Sequence, residues 1–156
     1  MLTNYENLSN KAKVYLYPSS RKFYPNELEE LQEKMKKFVS NWTEYSTSFK
    51  IEYNRFLLFF ITEDAKITTE LMDKLIAFIL ELEVTYKLTL LDKVNVCFKQ
   101  GKYVQYQEMK RFRELIKKKS ISKKTVVFNN LIQTKYEFIN DWELPITESW
   151  LSYLIK

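Results

Sequence analysis

Phe56-Leu57-Leu58-Phe59-Phe60-Ile61 is an uninterrupted run of six apolar residues, and the fold turns on how it is read. Six residues fall far short of the roughly 20 needed to cross a bilayer. Their β-rich composition predicts a strand buried on both faces. Phe49 to Tyr53 is a second β-rich run just before it, separated from the first by Asn54-Arg55, so a hairpin is expected even though its turn lacks the favoured glycine.

On the N-terminal side, Lys13 to Tyr17 alternates aliphatic residues with tyrosines and stops at Pro18-Ser19-Ser20, which predicts a short strand. Asn26 then precedes Leu28, Leu31, Met35, Phe38 and Trp42 at steps of three and four, with Glu29 three residues after Asn26, as in a capped amphipathic helix. On the C-terminal side, Thr68 precedes Leu71, Leu75, Phe78, Ile79, Leu82 and Tyr86, a longer helix with Ile67 placed to staple onto Met72. Val94, Val96 and Phe98 lead through Lys99-Gln100-Gly101-Lys102 to Tyr103–Tyr106, a second hairpin that uses the only glycine. The order is βαββαβ. It predicts an α+β protein with a ferredoxin-like core, two helices on one face of a four-stranded sheet.

A C-terminal βαβα extension is expected beyond that core. Met109, Phe112, Leu115 and Ile116 mark a short helix, Thr125 to Phe128 a strand, Thr134 to Trp142 a helical turn with Glu137 three after Thr134, and Thr147 to Ile155 a final helix. No linker, repeat or shift of composition divides the sequence, so residues 1–156 are expected to form a single α+β domain.

The chain has 156 residues, 46% of them hydrophobic, which argues for a packed core rather than disorder. It contains no histidine, one glycine and one cysteine, Cys97. Histidine-based nucleophile pairs, proton shuttles and metal sites are therefore excluded, and so are the glycine-rich phosphate loops. No catalytic residue, metal ligand or cofactor is assigned. The lone cysteine and the absence of an apolar signal core in Met1 to Ala12 fit a reducing cytoplasm. Cys97 itself reads as a small buried apolar residue.

The strongest functional signal is charge. Lys99, Lys102, Lys110, Arg111, Arg113, Lys117, Lys118, Lys119, Lys123 and Lys124 stand against only Glu108 and Glu114 in that stretch, an excess of eight that exceeds the net +5 of the whole chain. Such a segment suits RNA or a ribonucleoprotein, or an acidic protein partner; a solvated helix face that keeps the protein soluble is the plainer reading. Aromatic residues make up 16% of the chain, and Tyr15 occupies the position from which a βαββαβ sheet would stack a base. Ser19-Ser20-Arg21-Lys22 and Ser120-Ile121-Ser122-Lys123 match S-x-x-K, but without accessory motifs they read as turn chemistry. Glu27, Glu29, Glu30 and Glu33 read as helix charges that favour the dipole.

Several segments together carry a family resemblance. Tyr5-Glu6-Asn7-Leu8, Val14-Tyr15-Leu16-Tyr17 with Ser20-Arg21-Lys22, Tyr53-Asn54-Arg55-Phe56, Val127-Phe128-Asn129-Asn130-Leu131, Thr134-Lys135, Trp142-Glu143-Leu144-Pro145 and Ser149-Trp150 are similar to a family of small cytoplasmic proteins of Bacteroidetes, often labelled "ABC transporter ATPase". The resemblance implies a cytoplasmic location and, through the label, a nucleotide hydrolase, although the family, like this chain, lacks a phosphate-binding loop. Where that family often has Cys-Ser-Ile-Asp this chain has Glu70-Leu71-Met72-Asp73, and where the family tends to end Ser-Trp-His it has Ser149-Trp150-Leu151. Asp73 is the one carry-over. An aspartate in the second turn of a helix is adequately explained by the dipole, the favoured reading.

The expectation is thus a binding protein rather than an enzyme, with the basic segment as the contact. A nucleotide hydrolase is the alternative. A structural subunit docking through Trp150, Trp142 and Phe138 is the third reading.

Overall fold

The computed structural model describes residues 1–155. Strands β1 (Lys13–Pro18), β2 (Thr47–Glu52) and β3 (Phe56–Ile61) form an antiparallel sheet in the order β1-β3-β2. Lys13 and Thr47 both lie opposite Ile61, so the apolar run is the central strand. Helices α1 (Pro25–Trp42) and α2 (Thr69–Tyr86) cover one face. Successive side chains of a strand point to opposite faces. Accordingly Tyr17, Leu57 and Phe59 pack under Leu31, Met35, Leu75 and Ile79 of the helices, while Val14, Leu16, Phe56, Leu58 and Phe60 turn the other way.

A second sheet meets those residues. It runs β5 (Tyr103–Gln107), β4 (Val96–Gln100), β6 (Val126–Phe128) and β7 (Glu143–Pro145), all antiparallel. Cys97, Phe128 and Trp142 face the first sheet, and the Phe56 ring lies 4.8 Å from Phe128 and 4.9 Å from Trp142. Val96, Phe98 and Val127 face outward onto Phe112 of α3 (Met109–Lys117), with Ile121, Ile146 and Leu151 completing that cluster. The layers are therefore two helices, a sheet, a second sheet, and α3 with the C-terminal segment. All six residues of β3 are fully buried, as a strand between two covered faces requires.

The mixed α+β class holds, but a four-stranded ferredoxin-like sheet is not formed. The strand expected beside β1 is β4, and it sits in the second sheet instead. Residues 133–135 take its place along β1, where Val14 N–H donates to the Gln133 carbonyl at 3.0 Å and Lys135 N–H to Ala12 at 2.8 Å. The cause is the second apolar face of β1 and β3. A lone ferredoxin-like sheet leaves one face open to water, whereas burying each of those side chains contributes about 1.5–3 kcal/mol. Only another layer can do that.

Local signals decide most element ends. Thr68 caps α2 by accepting from Leu71 N–H at 3.2 Å, and Thr134 caps α4 (Lys135–Asn140) by accepting from Glu137 N–H at 3.1 Å. Gly101 has φ +61 in the two-residue turn between β4 and β5. The start of α1 differs from expectation: Asn26 lies inside the helix, Pro25 opens it, and Glu27 rather than Glu29 accepts the Tyr24 N–H at 2.9 Å. The expected helix over 147–155 is instead two 3-10 turns, Ile146–Glu148 and Ser152–Leu154, and β7 was not foreseen. Lys135 fastens the N-terminus: buried to 6% exposure, its Nζ donates to the carbonyls of Tyr5 at 3.0 Å and Leu8 at 2.7 Å.

Candidate anion-binding surface

The basic segment spans the end of β4, β5, α3 and the loop into β6, all in the second sheet's half of the molecule. Nine of its ten cations are exposed. Lys99, the half-buried one, pairs with Glu143 and lies over the Tyr53 ring at 5.0 Å. Arg111 pairs with Glu114 at 3.2 Å. Among the described residues the other eight have no carboxylate within ion-pair distance. The two ends of the segment meet, because β4 and β6 are neighbours: Lys99 and Lys124 line one groove of about 460 Å³ with Ser120, Ser122 and Thr125.

Helix α3 opens with cations that oppose its dipole. Phe112 is buried, with Met109, Leu115 and Ile116 packed beside it, so Lys110, Arg113 and Lys117 follow at steps of three and four along a solvent-facing row. Lys110 and Arg111 stand in the first turn, where the exposed N–H groups already favour anions, and Glu108 makes no side-chain cap. Like charges at helical neighbour spacing destabilise by about 0.2–0.5 kcal/mol a pair. Only Lys117, in the last turn, is favoured by the dipole; the first-turn cations work against it.

A second basic concavity lies where the β2–β3 turn meets the β4–β5 hairpin. Arg21, Lys22, Tyr24, Tyr53, Asn54, Arg55, Lys102, Tyr103, Val104 and Gln105 enclose about 590 Å³. Tyr53 and Asn54 both take left-handed backbone, φ 54 and 53, an uncommon and costly state for residues with a Cβ. Packing holds Tyr53 there. Its hydroxyl donates to Glu143 at 2.7 Å and its ring meets Phe128 at 5.4 Å. Arg21 is fully engaged, gripping Glu27 at 2.8 and 3.0 Å and donating to the Tyr86 carbonyl at 2.6 Å. Glu27 in consequence holds its proton less tightly than an ordinary carboxyl, chiefly through the Arg21 hydrogen bonds. Burial lowers the Arg55 pKa, with the Cys97 and Tyr106 side chains acting in the opposite direction.

Other residues singled out in the sequence sit apart from these surfaces. Tyr15 lies on the helix side of its sheet, edge-on to Trp42 at 6.5 Å, and the opposite face is covered by the second sheet. Ser19 is buried and its hydroxyl accepts from Arg21 N–H at 3.4 Å, while Lys22 is exposed. Asp73 is exposed on α2 with no ion pair among the described residues. Trp142 is buried at 3% exposure and Phe138 packs 5.1 Å from it, so only Trp150, half exposed, presents an open ring. Cys97 is buried, accepts from Asn130 Nδ2 at 3.3 Å, and burial pushes its thiol up to about 11. Among the described residues no three His, Cys, Asp or Glu are grouped to hold a metal ion, and no helix is long and apolar enough to cross a membrane.

Comparison with protein-family models, curated proteins and solved structures finds no match. Function has therefore to be read from the surfaces themselves. Of the cleft cations, only Lys102 belongs to the basic segment. Arg55 and Lys22 were missed as site residues because Arg55 stands alone and Lys22 follows only Arg21, too little charge to mark a patch; the non-glycine turn at Asn54-Arg55 was the one visible oddity.

Proposed function

We propose that the protein is a non-catalytic binding protein of the cytoplasm that holds single-stranded RNA, free or in a ribonucleoprotein, through the basic segment Lys99 to Lys124. The observation that carries this reading is the set of eight cations without carboxylate partners among the described residues, three of them in one solvent-facing row of α3. A polyanion supplies the missing counter-charge along such a row. Exposed rings beside it suit unpaired bases: Tyr103 is 59% exposed and Lys102 lies 5.8 Å from its centre. We also read the first sheet with α1 and α2 as a ferredoxin-like unit without its fourth strand, a reading supported by the β1-β3-β2 order.

Titration of affinity against salt tests the proposal. Neutralising about six phosphates of a single strand gives a slope of log affinity on log salt near −4. The triple variant Lys110→Glu, Arg113→Glu, Lys117→Glu should flatten that slope and weaken binding at least about tenfold. A flat response in the unaltered protein removes nucleic acid. Purification from the native cell with nuclease then separates the outcomes, since a nuclease-resistant partner marks an acidic protein instead.

A further inference from the structure

Arg55 is nine-tenths buried, yet among the described residues its side chain makes one hydrogen bond, from Nη1 to the Ser19 carbonyl at 3.2 Å. No carboxylate lies within ion-pair distance of it among the described residues. A guanidinium carries five N–H donors and keeps its charge, and Arg55 leaves most of those donors free at a largely buried position with no counter-ion beside them. Arg55 lines the cleft between the two hairpins, and so do Lys22 and Lys102, neither of which makes an ion pair among the described residues. No acidic residue lines that cleft. Its remaining character is aromatic: Tyr24, Tyr53 and Tyr103 are 54%, 39% and 59% exposed. The volume of about 590 Å³ lies within the usual range for small-ligand sites.

We propose that this cleft binds a nucleoside phosphate monoester, with the phosphoryl group on Arg55, Lys22 and Lys102 and the base against the tyrosine rings. A monoester near neutral pH carries close to two negative charges and three terminal oxygens, which matches three unpaired cations better than a diester does. A free nucleotide and the phosphorylated end of an RNA chain present the same group. The site goes beyond the basic segment, with which it shares the β4–β5 hairpin residues Lys102 and Tyr103 but neither Arg55 nor Lys22.

Calorimetric titration of the full chain with 5′-AMP, 5′-UMP, adenosine and inorganic phosphate tests it. The monophosphates should bind at least about tenfold tighter than either adenosine or phosphate alone, since both halves of the ligand are recognised. Arg55→Met should cost about tenfold or more. Because Arg55 is buried, the exposed pair Lys22→Ala, Lys102→Ala serves as the second variant; it should weaken binding about as much with an unchanged melting temperature. The triple glutamate variant of α3 should leave monophosphate binding intact, which separates this site from the RNA surface. If short RNA gains the same factor from a 5′-phosphate, the chain end is the ligand; if only the mononucleotides gain it, a free nucleotide is. Absence of monophosphate binding, equal binding of inorganic phosphate, or indifference to the Lys22/Lys102 variant overturns the proposal.

Discussion

Helices α1 and α3 are both amphipathic covers on the outside of a sheet, yet they handle charge in opposite ways. α1 opens with Glu27, which accepts the Tyr24 N–H and grips Arg21, and continues with Glu30 and Lys34 paired at 2.8 Å. α2 repeats the pattern, with a Thr68 cap and Glu70 placed four before Lys74. α3 opens with Lys110 and Arg111, has no side-chain cap and leaves Lys110, Arg113 and Lys117 without acids. Exposed ion pairs contribute little, about 0–1 kcal/mol each. The difference therefore concerns where the molecule keeps charge free, not how it stays folded. α1 and α2 set acids against some of their cations, while α3 leaves most of its cations without an acid among the described residues.

Phe56→Ala is the largest way to break that comparison, because Phe56 lies in the layer that joins the two halves. Urea unfolding should show a loss of about 3–5 kcal/mol. The loss should appear in one cooperative transition; two transitions would mean that the halves stand independently. Raising the pH probes the same layer. The Cys97 thiol, pushed from its ordinary 9.0 to about 11 by burial, favours the folded state only while it stays protonated. Its contribution is complete below about pH 9 and is lost as pH rises through about 11, some 2–3 kcal/mol in all. Cys97→Ala should fall less steeply than the unaltered protein across that window, and parallel curves would contradict the placement of the thiol.

Lys135→Met comes next, at about 1–3 kcal/mol, since two carbonyls of the N-terminal turn lose their donor. Amide exchange should quicken near Tyr5 to Leu8 ahead of the rest. Lys110→Glu is the smallest in stability and the most telling for the comparison. It should stabilise the fold by about 0.3–1 kcal/mol at low salt while weakening RNA binding. A destabilised Lys110→Glu variant would show that this charge serves the fold after all.

Much of the local structure was legible because its causes are local. The Thr68 and Thr134 caps, the Gly101 turn and the periodicity of α1 and α2 each depend on a few consecutive residues. The start of α1 was misplaced because Arg21 draws Glu27 into the cap, a contact across six residues. β7 and the closing 3-10 turns are three residues each, too short for a periodic signal. The basic segment was readable for a similar reason, being contiguous. The Arg55 cleft was not, since Lys22, Arg55 and Lys102 come from three segments that only the packed sheets bring together.

The amino-acid order alone determined that Phe56 to Ile61 is a strand needing cover on both faces, and that the chain's excess positive charge is gathered between Lys99 and Lys124. Both are properties of neighbours in the chain. Which layer supplies the cover, and which lone cations end side by side, was decided only in three dimensions. There the burial of a second apolar face drew β4 away from β1 and set the two hairpins against each other.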